Sequence, residues 1–360
     1  MTDLDQRIAS VLRERADGEI DARRLLRGSR ALGRRRQVRR RATAGTALAL
    51  VGVLGFVGVV RVDVGGLAGR MPWTATTPAV SPPPVPPLAD GVPGGSDRPD
   101  LVGTDPQVLH VSLDSSRARY LGWSVYGSHQ IESIRFRVGG GQPVLLEVSR
   151  DAKALDDTPI DGFPVQAVTG RLTFDGGVLR VAGTTDGLVK SWQPVPGLYA
   201  RAAMLGGDPA ALNLAAGLVR WDEARRCAAP VRLTTLPANA AVTGCSVDVT
   251  GFPRGLTAQL TVSRAPSSTM WTRLVYGAMM ADDTGRSSNR DLGGRPGYRY
   301  PDGTRLELLG IPKGRLTVDF AWPYPDGRPA GHVDFTEAEA ATVLAGAQVA
   351  KDLPRPQTWP

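Results

Sequence analysis

The chain has 360 residues, a formal net charge of +8 and a pI of about 9.9. Residues 1–41 hold 13 arginines against six acidic residues, while residues 42–360 carry 30 basic and 29 acidic side chains. The larger part is therefore near neutral, which excludes a nucleic-acid groove there, and the length suits one large domain with non-globular additions.

The chain opens on a short amphipathic pattern. Thr2 is placed to cap a helix, with Asp5 at its third position, and Leu4, Ile8, Val11 and Leu12 recur at helical spacing. About 40 residues are too few for an independent core. The segment reads as a solvated cytoplasmic stub or, more sharply, as a docking helix for a cytoplasmic regulator. It ends on six arginines within eight positions: Arg34, Arg35, Arg36, Arg39, Arg40 and Arg41.

Nineteen uncharged residues follow, Ala42 to Val60. As a helix they extend roughly 28 Å, close to the ~30 Å hydrocarbon core of a bilayer. Arginines before the run and few after it predict a signal anchor with its N-terminus in the cytoplasm. A cleavable signal peptide would not carry 41 residues ahead of its apolar region. A buried soluble helix would leave six arginines beside a core element without acidic partners. The expected location is thus the cell membrane, single-pass, with everything beyond residue 60 extracytoplasmic.

Residues 61–100 are expected to be a disordered, proline-rich linker, since nine prolines fall between Met71 and Asp100. Residues 101–360 read as one α+β domain, mostly antiparallel β with about two helices. Val108–Leu113, Tyr120–Tyr126, Ile131–Val138 and Val144–Val148 have strand patterns, and Gly139-Gly140-Gly141 marks a hairpin. Asp175-Gly176-Gly177 is a second turn signal. Further strands are predicted at 188–192, 198–204, 231–236, 247–250, 257–262, 306–309 and 316–321.

Two helices have clear starts. Asp208-Pro209 provides a cap and a first-turn proline for a helix to about Trp221, and Thr336 with Glu339 forms a capping box for a helix to about Val349. Similar proline turns precede both, after Trp192 and after Trp322, which suggests a duplicated strand–strand–helix unit. Trp192, Tyr199, Trp322 and Tyr324 flank these turns and are the residues predicted to line a groove, although aromatic packing within the core also accounts for them.

Cys227 and Cys245 are the only cysteines, both beyond the span, and an isolated pair in an oxidising compartment predicts a disulfide. No chemistry-bearing motif is present. The three histidines, His110, His129 and His332, are scattered, and there is no HExxH, CxxC or phosphate loop. Asp156-Asp157 and Asp282-Asp283 read as solvated turns. No catalytic, cofactor-binding or metal-binding residues are predicted.

The layout of Arg-rich cytoplasmic helix, single span, proline-rich spacer and outer domain resembles membrane-anchored anti-sigma-factor-like proteins of high-GC actinobacteria. SWQPVPGLYARAAMLGGDPAALNLAAGL, Ser191 to Leu218, is similar to a pattern in their extracytoplasmic sensor domains, as is PVRLTTLP after it. The resemblance implies a sheet-and-helix fold of the LolA and RseB type, which binds lipid or partner proteins. The zinc anti-sigma signature His-x3-Cys-x2-Cys is missing, and no cysteine precedes the span. The resulting expectation is a non-enzymatic membrane protein whose outer domain binds or senses an envelope lipid or protein. A tethered anti-sigma-like regulator acting through residues 1–41 and a cell-envelope hydrolase are the alternatives.

Overall fold

The computed structural model describes residues 83–158, 160, 172–181, 186–265, 268–281, 285–322 and 333–360. The Arg-rich segment, the apolar run Ala42–Val60, Tyr324, His332 and Asp282-Asp283 lie outside them. No described helix is long and apolar enough to cross a membrane.

The described chain forms a 13-stranded sheet with three short helices, and every strand pairing in it is antiparallel. Its connectivity repeats. The chain first lays down β1 (Leu88–Pro93), β2 (Val108–Leu109) and β3 (Ser112–Leu113). A meander of β4 (Ala118–Tyr126), β5 (Ile131–Val138) and β6 (Pro143–Ser149) comes next, then helix α1 (Ala152–Asp157). β7 (Asp175–Val181), β8 (Gly187–Val195) and β9 (Leu198–Leu205) return so that β9 pairs β6. Helix α2 (Pro209–Ala216) and β10 (Val219–Arg220) close the unit, β10 pairing back on β3.

β11 (Glu223–Arg226) joins β1 and β2 in a small sheet, and the second unit then repeats the path. It begins with β12 (Val231–Leu233) and the meander β13 (Ala241–Asp248), β14 (Gly255–Ala265) and β15 (Ser268–Gly277). β16 (Arg290–Asp291), β17 (Pro296–Arg299), β18 (Arg305–Leu308) and β19 (Gly314–Asp319) return so that β19 pairs β15. Helix α3 (Glu337–Ala345) and β20 (Ala347–Val349) end it, β20 pairing back on β12. The two units join where β4 pairs β13, Trp123 opposite Val247.

The duplicated unit is thus larger than strand–strand–helix. The two tryptophans that suggest it in the sequence are not equivalent: Trp192 lies within β8, one strand before the helix run-in, whereas Trp322 follows β19.

Alternation along each strand makes the sheet two-faced. Directly paired residues Leu308, Leu316, Leu274, Ala258, Val247, Trp123, Ile134, Leu146 and Ala202 form one buried apolar row across nine strands. The neighbouring row on the other face is polar throughout: Glu307, Thr317, Arg273, Gln259, Ser246, Ser124, Ser133, Glu147 and Arg201. Leu212 and Ala215 of α2 and Ala340, Val343 and Leu344 of α3 pack into the core of the apolar face, which runs through both units.

The helix starts are as read from the sequence. Asp208 Oδ1 accepts from Ala211 N at 2.7 Å, and Thr336 and Glu339 form the reciprocal capping box. Both helices are shorter than expected because each stops at a glycine, Gly217 or Gly346, whose N–H bonds back to Asn213 or Thr342. A third helix, α1, adds to the two expected; Asp151 caps it through Lys153 N. Asp175-Gly176-Gly177 is a register shift at the start of edge strand β7 rather than a hairpin turn, with Gly176 at φ +85°.

The end of the expected linker is also corrected. Residues 83–100 belong to the folded domain: β1 pairs β11, Ala89 is buried, and Pro84 and Pro86 are buried between exposed neighbours. Gly94, which reads in sequence as spacer, permits close packing instead, since a Cβ there would lie 2.3 Å from the Asp222 carbonyl carbon.

Candidate functional site

The connection between the two units and the two ends of the described chain converge on one cleft, of about 890 Å³. Its apolar floor is the middle of the sheet: Trp123 from β4, Val242 and Cys245 from β13, and Leu260 from β14. One wall is the inter-unit connection, from Arg226 through Ala228 and Ala229 to Leu233 of β12. The other walls are Pro83–Pro87 and the tail Pro356–Pro360. The size lies within the range of small-molecule sites, which are mostly apolar with a few placed polar groups.

Each wall is held by identifiable bonds. Arg226 N donates to the Pro87 carbonyl at 2.8 Å, and Arg225 Nη1 donates to the Pro86 carbonyl at 2.8 Å. Arg225 is fixed in turn by Glu223, which also accepts from the Ser112 hydroxyl at 2.6 Å. Partial burial opposes ionisation of Glu223, but the Ser112 hydroxyl and the Arg225 guanidinium outweigh it and hold this carboxyl below its usual range. The tail is folded over by Thr358, whose hydroxyl donates to the Asp352 and Arg355 carbonyls, and by Trp359 Nε1 on the Leu353 carbonyl.

The expected disulfide is formed. Cys227 and Cys245 are bonded at 2.05 Å and both line the cleft, so the bridge joins the inter-unit wall to the floor.

One polar group in the floor is unsatisfied. Trp123 is 3 % exposed, and its Nε1–H has no hydrogen-bond partner. A buried donor left unpaired costs about 1–3 kcal/mol. The remaining polar lining is Gln107, Gln357, Arg226 and Arg232.

The groove residues chosen from the sequence are not brought together. Trp192 packs edge-on against Trp221 at 6.0 Å, Tyr199 against Phe174 at 5.1 Å, and Trp322 against Trp271 at 5.5 Å. None of these three lines the cleft, and Tyr324 lies outside the described residues. The residues that matter here, Trp123, Leu260, Leu233, Arg226 and Arg232, carry only one sequence signal. The alternation in Gly122-Trp123-Ser124-Val125-Tyr126 sets Trp123 and Val125 on one face.

Other titratable clusters are structural. His110 and Glu132 are buried together, the Glu132 carboxylate accepting from His110 Nδ1 at 2.7 Å and from the backbone N–H of Gly103 and His110. Among the described residues no group of three or more His, Cys, Asp and Glu side chains is placed to hold a metal. A second hollow, of about 810 Å³, lies on the polar face between Tyr126, Arg135, Leu205 and Asp248. Its charged rim is internally paired, with Arg135 on Asp248 at 2.6 Å.

No protein-family model matches the chain, and no curated protein matches it. Two solved structures are similar to it in part. One is described as a crystal structure of MucB in complex with MucA(peri), at 13 % identity over 70 % of this chain and 97 % of that one, with a TM-score of 0.21. The other is a complex structure of Pseudomonas aeruginosa MucA/MucB, at 14 % identity over 71 % and 98 %, again with a TM-score of 0.21. Likeness at that level assigns no function to this chain.

Proposed function

We propose that this chain is a single-pass membrane protein, N-terminus cytoplasmic, whose outer domain binds an apolar cell-envelope ligand in the central cleft and catalyses no reaction. The observation that carries the reading is the cleft itself: an apolar floor at the junction of two units, holding one buried, unpartnered indole N–H. A filled interior would have left no such volume. The anchor rests on the sequence, from the arginines at 34–41 and the apolar run Ala42–Val60. The disulfide supports an oxidising compartment for the domain.

The test uses the full-length chain isolated from membranes. Small molecules that co-purify are identified by mass spectrometry for the wild type and for Ala228→Trp, which places an indole at the half-buried cleft wall. An apolar compound held by the wild type and lost from the variant supports the proposal. Equal recovery from both refutes it. Alkaline phosphatase fused after Pro360 reports the topology, and activity of that fusion is the expected result.

A further inference from the structure

We infer that the ligand of the central cleft carries an anionic head group, read by Arg226 and Arg232. This rests on the cleft being a ligand site, as proposed above. Both arginines line the cleft, both are exposed, and neither makes an ion pair with a described residue. Arg225, the neighbour of Arg226, is by contrast paired with Glu223. No aspartate or glutamate lines the cleft, so its side-chain charge is wholly positive although the chain beyond residue 41 is close to neutral. The two arginines lie on successive parts of one wall, the end of β11 and the middle of β12. The floor below is Trp123, Val242 and Leu260. An apolar tail lying on the floor with a carboxylate or phosphate at the wall satisfies both surfaces. A guanidinium matches either anion with paired N–H donors, whereas a neutral or cationic head leaves the two charges unanswered.

The experiment compares three probes of one chain length on the full-length protein in its own membranes: diazirine-bearing hexadecanoic acid, the corresponding alcohol and the corresponding amine. After photolysis, labelled peptides are mapped by mass spectrometry. The acid is expected to label the wall and floor peptides, residues 226–236 and 257–262, more than the alcohol and far more than the amine. In Arg226→Gln/Arg232→Gln, acid labelling there is expected to fall about fivefold, the scale of a partly exposed ion pair, with alcohol labelling unchanged. That unchanged alcohol signal also shows that the variant is folded. Equal labelling by acid and alcohol in the wild type, or acid labelling unaffected by the double substitution, overturns the inference while leaving the cleft as a ligand site. Absence of label at these peptides with all three probes overturns both.

Discussion

Arg201 shows how a single side chain is committed in this fold. It is 1 % exposed on the otherwise polar sheet face, where its Nε donates to Glu147 Oε2 at 2.6 Å and its Nη1 donates to the Leu155 carbonyl of α1. Removing one member of a buried pair leaves an uncompensated charge at a cost of about 3–5 kcal/mol, whereas replacing both with apolar residues is often neutral. Arg201→Met should therefore lower the stability measured by urea unfolding by about that amount, and Glu147→Leu/Arg201→Met should recover most of it. If the single substitution is silent, the pair does not hold α1 to the sheet. Glu223 gives a pH dependence near the cleft. Its folded pKa is depressed, so its contribution is present above the unfolded value of about 4.3 and is lost as pH falls through the folded one. Exchange of the Arg226 amide, which donates to the Pro87 carbonyl, should rise selectively as the pH is lowered below about 4, and Glu223→Gln should already show the faster exchange at neutral pH. At this scale the sequence is only half legible. Trp192, Tyr199 and Trp322 attract attention through nearby prolines, yet each ring is satisfied by one local aromatic neighbour. What sets Trp123 apart is its place in the cleft lining, and strand alternation does not encode what lies across from a side chain.

Among the elements, those with local chemical signals are readable. The capping box at Thr336 and Glu339, the Asp208 cap and the Gly139–Gly141 hairpin depend on residues a few positions apart. Strands lacking clean alternation escape such reading, as with β17, Pro-Gly-Tyr-Arg, which exists because β18 supplies its partner. The linker misleads for a related reason. Proline and glycine mark spacers on average, but at Pro86 and Gly94 they pack closely against residues more than 100 positions later. The disulfide acts at this scale as well, since it ties the inter-unit wall to β13 across a separation of 18 residues. Chain entropy for a loop of that length corresponds to about 3 kcal/mol. Cys227→Ala/Cys245→Ala should lose about that much in urea unfolding and should also lose retained ligand. Loss of stability without loss of ligand would separate the bridge from the cleft.

Residues 83–360, where described, are two copies of one path laid edge to edge, with the cleft where the copies meet. A single apolar row continues from Leu308 to Ala202 through both units, so neither copy has a core of its own at the β4–β13 seam. Duplication is visible in the sequence only as two similar helix run-ins, because the repeated object is strand order, and strand order is fixed by long-range pairing that composition does not record. The cleft is not legible there at all, being assembled from residues near 83, 123, 228, 260 and 357. Its position gives the account its central claim, that ligand enters between the units against both chain ends. The direct measurement is hydrogen–deuterium exchange on the full-length protein, before and after its co-purified ligand is stripped. The account expects stripping to deprotect Val85, residues 226–233 and residues 357–359 together, leaving the polar-face segment around Tyr126 to Arg135 unchanged. Deprotection confined to that polar face, or no change in the three cleft segments, would contradict it.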